Sequence, residues 1–221
     1  MKKYSKDKKV VFYEDTHSYY LGDKKLTSVT QYISKFKAPF DKDRISLAYA
    51  KKHNLTQEEV LNSWAKKGKD ACDMGTFVHA MFEDYILKQP IKTNENYPKC
   101  DVARNIILDY FQSKRLTPVA TELIVYNNNY AGQIDCIAKN EKGEHFILDW
   151  KTNSEIKMGN HWQSMSGDYS MFDDCSYNHY SIQLRCYQKM CKEYDIKNCY
   201  IVHLKDDNYE FIEARDIEVN I

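Results

Sequence analysis

YAGQIDCIAK (residues 130–139) and HFILDWKT (residues 145–152) are two apolar runs joined by the polar connector NEKGE (residues 140–144). Short runs rich in β-branched and aromatic residues around a Gly-containing turn read as a β-hairpin. Side chains alternate along a strand, so Asp149 and Lys151 share one face and Trp150 takes the other. Closing the hairpin around residues 140–143 brings Asp135 beside Asp149. Two carboxylates and an ammonium then meet at one spot. Neighbouring carboxylates repel, and one holds a proton unless a cation relieves them. A surface ion pair is the plain alternative for Asp149 and Lys151. Against it, Phe146, Ile147 and Leu148 run straight into the pair, and charge at the end of a buried strand is costly unless paired or used.

Working outward, Pro118 precedes VATELIVYN (residues 119–127), which reads as a strand and completes an antiparallel meander with the hairpin. Upstream, GTFVHAMFEDYILK (residues 75–88) carries Phe77, Met81 and Tyr85, and also Val78, Phe82 and Ile86, at spacing four. This predicts a strongly buried helix opened by Gly75. A second helix is expected over 101–115, with Val102, Ile106, Ile107, Tyr110 and Phe111 on one side. Downstream, residues 153–176 are polar and irregular, a length that within a compact domain is often functional. A helix follows over 177–194, with Ile182, Cys186 and Met190 at spacing four, then strands over 198–204 and 208–212.

The N-terminal part predicts strands over 9–14 and 18–21. Helices are expected over 28–36, 43–53 and 54–69, capped by Ser28, by Asp41 or Asp43, and by Thr56 with Glu59 closing a capping box. The expected fold class is α/β of the α+β kind: a central mixed sheet flanked by helices. A basic α/β extension (residues 1–70) precedes a core (residues 71–221).

Composition narrows the function classes. Of 221 residues, 43% are hydrophobic, enough for a real core, and only 7 Gly and 4 Pro leave little room for disordered linkers. Net charge is zero, which by itself argues against a polyanion partner. Its distribution reverses that argument: residues 1–70 hold 16 Lys/Arg against 9 Asp/Glu, and the remainder holds 16 against 23. Such a split suits a protein that grips phosphates in one place and holds cations in another, with a basic N-terminal part in the groove for nucleic acid; a solvated basic surface is the bland alternative. Seven cysteines without a CxxC pair, behind an N-terminus with no apolar run, are expected to be free thiols in a reducing intracellular compartment. No run approaches the ~18 apolar residues of a membrane span.

The order G-x-x-D135, apolar strand, D149-x-K151 resembles the PD-(D/E)XK nuclease superfamily. Gly75-Thr76-Phe77-Val78-His79, with Glu83 four residues on, resembles the helix-borne histidine motif of RecB-type nucleases. Gln183-Leu184-Arg185-Cys186-Tyr187 resembles their Q-x-x-x-Y motif. Order and spacing match over roughly residues 75–205, most closely the small single-domain RecB-like exonucleases of phage and mitochondrial genome-maintenance type. The resemblance implies a restriction-endonuclease-like core. It implies Asp135, Asp149 and Lys151 as catalytic residues, with His79, Asp135, Asp149 and the Trp150 carbonyl around Mg2+ or Mn2+. It implies Gln183 and Tyr187 as braces near DNA, Glu83 beside His79, and Glu122 as an additional acid. Taken alone, His79 among Val78 and Phe82 reads as a core histidine, and the Gln183–Tyr187 pair as structural. Some relatives carry an iron–sulfur cluster; here Cys186, Cys191 and Cys199 lie inside a helix and a strand without a tight C-x-x-C element, so none is expected.

The expected activity is therefore a Mg2+- or Mn2+-dependent DNA exonuclease acting on single-stranded or frayed ends in recombination, repair or replication, consistent with a virus-encoded enzyme. Trp162, Tyr169 and Tyr180 are candidates for stacking on bases, and Arg185 for a phosphate or, equally, an exposed ion pair. A structure-specific endonuclease and a catalytically inactive nucleic-acid-binding module remain open. Polarity of digestion, oligomeric state and a preference between DNA and RNA are not legible.

Overall fold

The computed structural model describes residues 2–221. Its N-terminal part is an antiparallel run of four strands, β1 (Lys2–Tyr4), β2 (Val10–Tyr13), β3 (Ser18–Leu21) and β4 (Lys24–Ser28). Three helices follow: α1 (Val29–Ser34), α2 (Lys42–His53) and α3 (Gln57–Ile86). Next come α4 (Lys99–Ile106) and a π-helical turn (Ile107–Gln112), then β5 (Thr117–Tyr126), β6 (Tyr130–Lys139) and β7 (His145–Lys151). The chain closes with α5 (Ser176–Met190), β8 (Ile196–Leu204) and β9 (Tyr209–Glu213).

The fold is mixed α/β, one nine-stranded sheet with helices packed on it. The meander read from sequence is present: β5 pairs antiparallel with β6, and β6 with β7. The sheet is mixed because β7 runs parallel to β8. The N-terminal strands join it through β4, which lies parallel to β6 at Thr27↔Tyr130 and Ser28↔Ala131. The boundary expected at residue 70 thus falls inside α3, and residues 2–28 extend the main sheet.

Local chemistry explains the helix starts. Ser28 and Gln31 form a reciprocal capping box, Asp41 accepts from the Arg44 N–H, and Thr56 pairs with Glu59 as the sequence implied. The helices expected over 54–69 and 75–88 are instead one helix of 30 residues. Nothing between them forces a break: no proline intervenes, and a mid-helix glycine costs only ~1 kcal/mol. Gly75 serves contact rather than termination, since a Cβ there would sit 3.1 Å from Thr152 Oγ1.

Two cores sandwich the sheet. On one face, α1 and α5 pack Tyr32, Ile33, Ile182 and Cys186 against Ile134, Ile137 and Ile147. On the other, α3 and α4 pack Val78, Phe82, Val102 and Ile106 against Cys136, Leu148 and Trp150. The Phe82 and Trp150 rings stack with centroids 4.0 Å apart, which clamps α3 onto β7. A third cluster, Val10, Phe12, Tyr19 and Leu26 with Ile124 and Ala131, seats the N-terminal strands. Among the described residues no helix is long and apolar enough to cross a membrane.

Candidate metal centre at a split in the sheet

One edge of β6 has two partners. β4 covers its first two residues, and β7 covers residues 136–139. Its other edge belongs to β5 throughout. Residues 132–135 therefore lack a strand on the β4/β7 side, and the candidate site occupies this opening. Where the β6–β7 ladder stops, a side chain takes over: Asp135 Oδ2 accepts the Trp150 N–H at 2.8 Å. This single bond fixes the acidic carboxylate against the strand that carries Asp149 and Lys151.

β5 is bent to match. Leu123 and Ile134 are paired, and so, three positions along, are Ala120 and Ile137. All four contact the same core, which regular alternation forbids across three residues. The pairing register shifts between Pro118 and Ala120, and within the stretch between the two pairs Glu122 has a φ of 50, which puts a non-glycine residue in the left-handed region. Such a conformation costs of order 1–3 kcal/mol and clusters at functional sites. It aims Glu122 at Asp135.

His79, Glu122 and Asp135 form the one group of potential ligands among the described residues whose donor atoms all lie within 4.8 Å of one another. His79 is oriented for that role. Its Nε2–H donates to the Trp150 carbonyl at 3.1 Å, which leaves the Nδ1 lone pair facing Asp135 Oδ2 at 3.7 Å. A histidine whose far nitrogen is bonded to a carbonyl is the usual arrangement around a metal. The Trp150 carbonyl, expected among the ligands, here also braces His79.

Asp149, expected beside the cation, contacts Lys151. It is 2% exposed, and its Oδ2 lies 2.5 Å from Lys151 Nζ. Its nearest charge is the ammonium, and it lies outside the ligand cluster. Lys151 is held from below by the Tyr180 ring, 4.7 Å from its Nζ. Tyr180 in turn accepts from Asn153 Nδ2 at 2.6 Å, and the Asn153 carbonyl accepts from buried His203 and Lys99. Lys99, Asn153 and His203 were not foreseen; no motif marks them, because they act on the chain leaving β7 rather than on the reacting groups. Tyr180 is engaged beneath Lys151 instead of free for bases.

Gln183 Nε2 donates to Tyr187 Oη at 2.9 Å, and the Tyr187 ring is buried against Gly132, in the opening of the sheet. A Cβ at Gly132 would overlap that ring. Gly132→Ala is expected to cost about 1–3 kcal/mol through this overlap, read as a lower urea midpoint; an unchanged midpoint would show that the ring moves freely. Two further candidates are engaged within the fold, and Arg185 has the exposed Asp216 as an ion-pair partner at 3.9 Å. Tyr169 is buried and bonded through its hydroxyl to Tyr32 at 2.9 Å, so it reaches no base. Arg185 is used by the C-terminal tail, donating to the carbonyls of Ala214 and Arg215. Trp162, at 97% exposed, stays available.

The cleft in front of the cluster has a volume of about 510 Å³ and is lined by Lys3, Glu14, Gly75, His79, Glu83 and Glu122, among others. Lys3 comes from β1 and was not foreseen, since the link between residues 3 and 122 exists only in the folded sheet. Its Nζ lies 3.4 Å from Glu14, 3.7 Å from Glu83 and 3.5 Å from Glu122. Glu83 thus stands in the cleft one turn beyond His79, against Lys3 and outside the ligand cluster.

Electrostatics follow from burial and crowding. Burial and Asp135 push the Glu122 carboxyl up to about 7, opposed by Lys3 and His79. Burial and Asp149 raise Asp135, opposed by Lys151 and the Trp150 N–H. Burial and Lys151 lower His79, which favours the neutral imidazole that a metal needs. Burial alone would lower Lys151 and Lys3, but the acids around each carry both above the ordinary lysine value. Lys3 competes with any cation for Glu122. Lys3→Met is expected to tighten Mn2+ binding by roughly 1 kcal/mol at low salt; weaker binding by calorimetry would assign Lys3 a supporting role instead.

No family model matches the chain, and no curated protein matches it.

Proposed function

We propose that the protein is a Mg2+- or Mn2+-dependent nuclease that hydrolyses phosphodiester bonds of DNA, working from single-stranded or frayed ends. The observation that carries this reading is the convergence of His79, Glu122 and Asp135 within 4.8 Å, with Asp135 tied to the strand bearing the Asp149–Lys151 pair. The resemblance of the same residues to the PD-(D/E)XK pattern of RecB-like nucleases supports it. A structural ion-pair network would not need a strained Glu122 or a left-open edge of β6.

The donor set fits the ion. Two carboxylates and one imidazole suit Mn2+, and Mg2+ takes one or two carboxylates with substrate phosphate completing its shell. When bound, the cation polarises a phosphoryl oxygen and acidifies water. The chain's own residues do the rest. Asp135 and Glu122 supply the negative charge that holds the cation, and His79 is kept neutral and oriented by the Trp150 carbonyl. Lys151 presents an ammonium, fixed by Asp149 and Tyr180, to the charge that builds on phosphate oxygens during attack.

End-labelled linear DNA and circular single-stranded DNA, each incubated with Mn2+, test the reading. It expects degradation of the linear strand and resistance of the circle. Nicked circles would make the protein an endonuclease, and intact DNA of both kinds with bound Mn2+ would leave a binding module.

The same acids predict a pH dependence of the metal-free protein. The Glu122 carboxyl stands at about 7 in the fold against an ordinary 4.5. Between these values the folded chain keeps a proton that the unfolded chain has released, so stability falls as pH rises. The loss, complete near pH 7, reaches up to about 3 kcal/mol. Urea midpoints in EDTA should therefore fall from pH 5 to pH 8, and fall less in Glu122→Gln. Equal slopes in the two proteins would contradict the assignment.

A further inference from the structure

Residues 35–74 form a helical arm that stands off the body beside the cleft. α2 packs on α3 through buried Ser46, Ala50 and Val60, yet every residue from 62 to 73 is exposed except Trp64. Both feet of the arm rest next to the segment that follows Lys151. At one foot, the Phe36 carbonyl accepts the Ser166 N–H at 2.8 Å, and Asp174 Oδ2 accepts the Ala38 N–H at 2.7 Å. At the other, Gly75 abuts Thr152.

The arm carries two features that no core or ion pair uses. Phe40, at 65% exposed, and Tyr49 flank Trp64 with centroids 6.2 and 6.1 Å from it, and His53 stacks on Tyr49 at 4.1 Å. Residues 42–69 hold seven Lys/Arg against three Asp/Glu. Lys51, Lys52, Lys66, Lys67 and Lys69 are exposed, and none forms an ion pair among the described residues.

We infer that this arm is a binding surface for single-stranded nucleic acid, which it delivers to the cleft. Rings with exposed faces beside unpaired ammonium groups are what an unpaired strand recognises: bases stack while phosphates meet cations. A second copy of the chain fits less well, because two such basic arms repel. Direction comes from the helix itself. Trp64 and Gly75 lie about three turns apart on the same face of α3, and His79 follows one turn on. A strand laid along α3 from Trp64 reaches the ligand cluster after roughly 22 Å. Only this direction rests on the cleavage reading; the binding surface does not.

The experiment measures binding of a labelled oligothymidylate by fluorescence anisotropy in EDTA, where no cleavage occurs. The wild-type protein is compared with Trp64→Ala/Tyr49→Ala and with Lys66→Glu/Lys67→Glu/Lys69→Glu. Lys139→Glu/Lys142→Glu, exposed at the end of β6 and in the turn that follows it, serves as the control. Each arm variant should lose at least about tenfold in affinity, with the control unchanged. The lysine variant should also flatten the slope of log affinity against log salt by about 2. The lysines touch no core, so that variant reads out even if the aromatic one unfolds the arm. Equal binding by all proteins, or no binding by the wild type, overturns the assignment and leaves the cleavage reading to its own test with Mn2+. A wild-type dimer that Trp64→Ala/Tyr49→Ala dissolves, with strand binding intact, would make the arm an interface between copies and also overturn it.

Discussion

Asp135→Asn should remove Mn2+ binding and lower DNA cleavage at least about 10²–10³-fold, while making the metal-free protein more stable. The two effects share one cause. Asp135 is a member of the ligand cluster and faces both Glu122 and Asp149. Without a cation, three carboxylates share the opening in the sheet, and Lys151 offsets only part of their repulsion. Asparagine keeps the bond to the Trp150 N–H through its carbonyl oxygen and deletes one charge. Relief of like-charge repulsion of about 1–2 kcal/mol raises Tm by roughly 2–8 °C for a chain of this size. Tm in EDTA at pH 8 and a cleavage assay in Mn2+ check the pair of effects. A variant that is both less stable and still active would mean that Asp135 is a structural carboxylate.

The second large effect is expected at Lys151. Asp149 Oδ2 is buried, and Lys151 Nζ at 2.5 Å is its one charged partner at contact distance. Breaking a buried pair by removing one member typically costs about 3–5 kcal/mol, because the remaining charge is left uncompensated. Lys151→Met should lose about that much stability, and cleavage should fall at least about 10²-fold. Asp149→Asn/Lys151→Met removes both charges, so it should recover most of the stability and none of the activity. That separation distinguishes a lysine needed for chemistry from one needed only to neutralise its neighbour. Activity restored together with stability in the double variant would make Lys151 purely structural.

The hairpin was legible because a period of two and a Gly-containing turn define its register locally. Asp135, Asp149 and Lys151 converge for that reason. The caps at Ser28 and Thr56 and the apolar stripe of Val78 and Phe82 were legible for the same reason, each being written within a few residues. What escaped depends on long-range contact or backbone geometry. Lys3 and Glu122 meet through a side-chain contact across 119 positions. Glu122, with its positive φ, stands in the cluster beside His79 and Asp135, and Asp149 contacts Lys151, both through backbone geometry and packing that no local motif writes. Tyr169 and Arg185 carry suitable chemistry but are held by Tyr32 and by the C-terminal tail. The continuity of α3 was hidden because glycine reads as punctuation, whereas Gly75 permits the approach of Thr152.

The central claim is that His79, Glu122 and Asp135 hold the divalent cation that drives cleavage. Anomalous diffraction from a crystal soaked in Mn2+ tests it most directly. The account predicts an anomalous peak between these three side chains, at coordination distance of roughly 2.0–2.3 Å from each, and no such peak in Asp135→Asn. A Mn2+ ion bound elsewhere on the chain, with the cluster empty and Lys3 still paired to Glu122, would contradict it.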